Sequence, residues 1–87
     1  MAVAMEDKYR IMLVDDHAST REAMRHFLNR QPDLLVAGEA GSGEECLKNL
    51  EQINPDLVVM DILLPVMNGI ETTKKLKQSH PQLPVMV

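Results

Sequence analysis

Four short runs of uninterrupted apolar residues constrain this chain more than any other feature: Ile11–Val14, Leu34–Ala37, Leu57–Met60 and Val85–Val87. A strand with one wet face alternates apolar and polar residues. A continuous run suits a strand buried on both faces, as in a parallel sheet covered by helices. Between the runs the apolar residues take helical spacing instead. Ala23, Met24, Phe27 and Leu28 share one face, Cys46, Leu47, Leu50 and Ile53 a second, and Ile70, Thr73 and Leu76 a third. Ser19–Glu22 and Ser42–Glu45 both read as capping boxes, with Ser at the cap and Glu three residues on. Pro32, Pro55 and Pro81 each close a helical stretch, because proline disfavours α geometry in the residue before it.

The order is therefore βαβαβαβ, and each gap between runs holds a helix with two loops, as a parallel crossover requires. This is the doubly wound α/β class. Right-handed crossovers leave few topologies. Strand order 2-1-3-4 is expected, because it alone brings the acidic residues described next to one edge.

Asp15 and Asp16 follow directly on the first run and Asp61 directly on the third. With those strands adjacent and parallel, the three carboxylates meet at the carboxyl edge of the sheet, where open α/β sheets bind ligands. Three acids close together repel, so such a site needs a cation or must hold protons. Carboxylate, carbonyl and water oxygens suit Mg²⁺, a hard ion usually held by one or two carboxylates, waters and a phosphate. A carboxylate there is a candidate nucleophile for a phosphoryl group, forming an aspartyl phosphate. Transfers of that kind depend mostly on positioning and charge neutralisation. Pro65 to Gly69 reads as a shaped loop leading into the third helix, with Gly69 allowing a positive φ or a close approach.

Composition narrows the function classes. With 87 residues the chain holds one small domain at most. Its 9 basic and 13 acidic residues give a net charge of −4, which argues against a nucleic-acid-binding face. A single cysteine excludes an internal disulfide. The apolar runs fall far short of the ~20 residues that cross a bilayer. Met1–Lys8 carries two acids and no apolar core, unlike a secretory signal. A cytoplasmic domain without membrane contact is expected, with residues 1–9 as a disordered leader.

The stretch Ile11-Met-Leu-Val-Asp-Asp-His17, followed by Pro55-Asp-Leu-Val-Val-Met-Asp-Ile-Leu-Leu-Pro-Val-Met-Asn-Gly-Ile-Glu71, resembles the receiver domain of two-component response regulators. It looks most like the subfamily with a C-terminal helix-turn-helix DNA-binding domain. The resemblance runs from Arg10 to the end of the chain and implies a flavodoxin-like fold. It makes Asp61 the phosphoacceptor for a sensor histidine kinase, with Asp16 binding Mg²⁺ directly, Asp15 through water, and the Leu63 backbone carbonyl completing the protein ligands. Pro65 and Gly69 shape the loop beside them. Leu64 and Asn68 stand where the family usually has Met and Asp, and both keep the apolar and turn chemistry.

The same resemblance implies that residues 10–87 form an incomplete receiver. A fifth strand, a fourth and fifth helix and the DNA-binding domain would be missing, and with them a Ser or Thr and a Lys that contact the phosphoryl group. Two expectations follow: Mg²⁺ binding with slow phosphorylation, and association into a homodimer or domain-swapped oligomer through bare apolar surface and an open fourth strand. Regulation of transcription, and DNA contact, would run only through the output domain. Two rival readings remain: a fragment serving only for oligomerisation, and a metal-dependent aspartyl phosphatase, whose Asp-x-Asp motif Asp15-Asp16 does not match. His17 reads as a loop residue beside the site, His26 and His80 as surface residues, and Cys46 as a small core residue. Seven methionines beside two aromatics, Tyr9 and Phe27, suggest flexible filling of the core.

Overall fold

An apolar run that must hide both faces belongs at the centre of a sheet, and Ile11–Val14 sits there, each residue at most 2% exposed. The computed structural model describes residues 8–87. Its elements are β1 (Tyr9–Val14), α1 (Ala18–Asn29), β2 (Leu34–Ala40), α2 (Gly43–Ile53), β3 (Leu57–Met60), α3 (Gly69–Ser79) and β4 (Val85–Met86). All strand pairs are parallel and the order is β2-β1-β3-β4, as the sequence led us to expect.

Side chains alternate across β1, so its two faces lead to two different layers. Met12 and Val14, with Val58 and Met60 of β3, join Cys46 and Leu50 of α2, Leu76 of α3 and Leu64 in one core. Ile11 and Leu13 are equally buried but belong to the opposite face. Right-handed crossovers place α1 there, and α2 with α3 over the main core. Among the described residues no helix is long and apolar enough to cross a membrane.

Several boundaries differ from the sequence reading. Tyr9, assigned to the leader, opens β1: it pairs with Leu34, and its amide donates to the Asp33 carbonyl at 2.9 Å. Residues 1–7 of that leader lie outside the described residues. β2 runs on to Ala40 because a register shift between Ile11 and Met12 skips Ala37, and pairing then resumes at Gly38. The Ser19–Glu22 capping box does not form, because α1 already starts at Ala18 with His17 at its N-cap. The cause is local: Asp15 Oδ1 accepts the His17 amide at 2.8 Å, a turn that starts the helix early.

The Ser42 cap does form, its hydroxyl accepting the Glu45 amide at 3.1 Å, although Glu45 reaches back to the Gly41 amide rather than to Ser42. Asn54, at φ 50°, ends α2, and Arg10 donates from its guanidinium to the Ile53 carbonyl at 2.6 Å. Asn68 caps α3 by accepting the Glu71 amide at 2.9 Å. That cap sets the rotation of α3. Gly69, Thr72 and Leu76 are buried, Thr73 is half-buried and Ile70 is exposed, so the apolar face lies one residue away from the expected one. On α1, Ala23 and Phe27 are exposed, and only Met24 and Leu28 of the expected face are half-buried.

Candidate functional site

The register of the two central strands builds the site. Val14 pairs with Met60, so the next residues, Asp15 and Asp61, leave the sheet side by side. The Asp61 amide donates to the Val14 carbonyl at 2.9 Å, and the Asp15 amide to the Ala40 carbonyl at 3.1 Å. These bonds fix both backbones at the carboxyl edge, where helix α1 has yet to begin and the chain is open to ligand. Asp16 follows on the same loop and is more exposed.

Each of Asp15, Asp16, His17 and Asp61 offers one ligand atom, and these atoms all lie within 4.8 Å of one another. Two carboxylates at that spacing repel by about 3 kcal/mol at an effective dielectric of ~20. No lysine or arginine forms an ion pair with these acids among the described residues. The only side chain paired with them there is His17, whose Nδ1 stands 3.0 Å from Asp16 Oδ1 and 3.2 Å from Asp15 Oδ1. A donor set of carboxylates at a strand edge fits a hard divalent cation, and Mg²⁺ matches it in charge and ligand chemistry.

The loop after Asp61 is tied back onto it. The Leu63 amide donates to Asp61 Oδ1 at 3.1 Å, and the Leu63 side chain faces solvent, 82% exposed. Leu64 plugs into the core beneath. Pro65 is exposed and precedes Val66, which has φ 64°, a left-handed conformation unusual for a β-branched residue. Gly69 then returns to the site. Its amide donates to the Ile62 carbonyl at 2.9 Å, and a Cβ on it would lie 2.2 Å from the Asp61 carbonyl oxygen. Close approach, not positive φ, is what requires glycine here.

Val14, Asp15, Met24, Val59, Met60 and Asp61 line a cleft of ≈ 180 Å³ beside the acids. Sequence reading had assigned Met24 only to a helix face. It also missed Arg21, whose guanidinium donates to the Asp15 backbone carbonyl and to Glu39 at 3.2 Å. Arg25 joins Glu39 at 2.6 Å, and that hydrogen bond holds its guanidinium above the usual value. Neither arginine stands out in the sequence, because the contacts depend on β2 running on to Glu39. Cys46 is fully buried, and desolvation pushes its thiol up to about 11, which leaves no nucleophile there at neutral pH. A larger cavity, ≈ 460 Å³, lies near the loops that precede β3 and β4 and contains none of the clustered acids.

Parallel β-strands in this order, with carboxylates at the tips of the two central ones, give a doubly wound α/β domain a candidate site at its carboxyl edge. The response regulator receiver domain family matches residues 11–87, and the chain belongs to that family. The transcriptional activator protein ExaE of Pseudomonas putida is 47% identical over 87% of this chain and 36% of its own length. The crystal structure of a LuxR-family two-component response regulator from Aurantimonas sp. SI85-9A1 superposes with TM-score 0.85 at 38% identity, covering 90% of this chain and 56% of that one. Another likeness, at TM-score 0.78 and 35% identity, is to the crystal structure of the CheA3 P1 domain in complex with CheY6 from R. sphaeroides, over 91% of this chain and 61% of that one. The chain spans between 22% and 37% of the length of the curated relatives it resembles.

Proposed function

We propose that the chain acts as a phosphoacceptor module and that Asp61 receives the phosphoryl group. A carboxylate oxygen of Asp61 attacks the phosphorus of a phosphohistidine. The P–O bond forms as the P–N bond breaks, and the electron pair leaves with the imidazole nitrogen. The observation that supports this most directly is the adjacency of Asp61 to Asp15 and Asp16 through the Val14–Met60 register. Asp16 and Asp61 would hold Mg²⁺ directly, Asp15 through water and Leu63 through its backbone carbonyl. When bound, the ion neutralises charge on the carboxylates and on the transferring group. Asp61 itself is oriented by the Leu63 amide, and the missing side chain of Gly69 leaves room for its carbonyl.

A sensor histidine kinase is the proposed donor, a reading supported by the likeness to CheY6 in its complex with the CheA3 P1 domain. Transcription control through a DNA-binding output domain is supported by the likeness to ExaE and the LuxR-family regulator. The net charge of −4 agrees with DNA contact lying elsewhere than in these residues. The cytoplasm, where phosphohistidine donors and DNA meet, is the proposed location. Self-association is the proposed additional behaviour, supported by the exposed Phe27 on α1.

Incubation with acetyl phosphate and Mg²⁺ followed by peptide mass spectrometry tests the central assignment. A phosphoryl adduct that maps to Asp61 and is lost in Asp61→Asn is expected. An adduct on another carboxylate, or one that survives the substitution, contradicts it.

A further inference from the structure

We infer that His17 is a nitrogen donor to the metal site and biases it toward first-row transition ions over Mg²⁺. The inference rests on the proposed reading of the acidic trio as a divalent-cation site. The His17 backbone is anchored beside the cluster on both sides: its amide donates to Asp15 Oδ1 at 2.8 Å, and its carbonyl accepts the Arg21 amide at 3.0 Å. From that anchor Nδ1 lies 3.0 Å from Asp16 Oδ1 and 3.2 Å from Asp15 Oδ1, and Asp61 completes the group.

Geometry and ligand chemistry then point the same way. Donors on opposite sides of an ion with bonds of about 2.1 Å stand roughly 4.2 Å apart. The four ligand atoms already lie within 4.8 Å, so small side-chain movements gather them. The exposed ring, 68% accessible, has freedom to make that adjustment. Imidazole suits Co²⁺, Ni²⁺ and Zn²⁺, while Mg²⁺ favours oxygen. Loss of His17 should therefore weaken one kind of ion and spare the other. A ring that served only as a positive partner for the acids would instead affect both ions alike, because charge does not distinguish one divalent cation from another.

Titration of Co²⁺ and of Mg²⁺ at one fixed pH, by calorimetry and by the visible absorption of Co²⁺, tests this on the wild-type chain, His17→Ala and His17→Asn. Asn preserves a residue suited to the N-cap of α1, so a loss seen with both variants is not a folding defect. Tenfold or greater loss of Co²⁺ affinity, a shifted Co²⁺ spectrum and Mg²⁺ affinity unchanged within about twofold are expected, in keeping with the usual effect of altering a metal's immediate surroundings. Equal changes for both ions, or an unaltered Co²⁺ spectrum, overturn the role of His17. Binding of Mg²⁺ without Co²⁺ overturns it too while leaving the acidic site intact. Failure of both ions to bind the wild-type chain overturns the cation site itself.

Discussion

The helices over the two faces of the sheet differ sharply in how much of themselves they bury. Over one face, α2 and α3 each bury three residues and close a core that runs from Met12 to Leu76. Over the other, α1 buries none, and Phe27 is 66% exposed although it lies on the helix's most apolar side. Burial and the candidate site are therefore divided. The α2–α3 face holds the fold together, and the α1 face, with its loop carrying Asp15, Asp16 and His17, keeps the site accessible.

Core truncation should separate the two faces most clearly. Met12→Ala is expected to lose about 2–5 kcal/mol in urea unfolding, the range for deleting a large buried side chain. A loss as small as that of a surface substitution would show that the main core is not where stability resides. Next in size is a pH effect. The Cys46 thiol is pushed up to about 11 in the folded chain from 9.0. The unfolded thiol thus ionises first, and the stability it contributes is full below pH 9 and lost as pH rises toward 11, on the order of 2 kcal/mol. Cys46→Ala should flatten that part of the pH profile; an unchanged slope contradicts the burial argument.

Gly69→Ala comes third. Its Cβ would collide with the Asp61 carbonyl, so a loss of roughly 1–3 kcal/mol is expected together with weaker Mg²⁺ binding. Tight binding in the variant would mean that the loop does not position Asp61. The smallest effect should be at Phe27→Ser, within about 0.5 kcal/mol of wild type. Sedimentation velocity should show that variant to be more monomeric than the wild-type chain, and identical profiles would argue against association through the α1 face.

Much of this was legible in the sequence, because parallel-sheet strands are written as unbroken apolar runs and each acid stands one residue beyond such a run. Order β2-β1-β3-β4 and the adjacency of Asp15 to Asp61 followed from that pattern. The rotation of the helices was less legible. Periodicity alone placed Ile70 in the core, but the Asn68 cap starts α3 so that Gly69, Thr72 and Leu76 face inward. Ser19 looked like a cap until the Asp15 turn started α1 two residues earlier than that cap implied. His17 was readable as a neighbour of the acids, yet its ring placement depends on a turn that no residue spacing encodes.

The proposed phosphoacceptor role requires that Asp15, Asp16 and Asp61 act as one cation site. Titrating Mg²⁺ into the ¹⁵N-labelled chain and following its amide resonances tests this most directly. Concerted, saturable shifts at Asp15, Asp16, Asp61 and Leu63 that vanish in both Asp16→Asn and Asp61→Asn are expected. Shifts confined to one strand tip, or persisting in either variant, would contradict it.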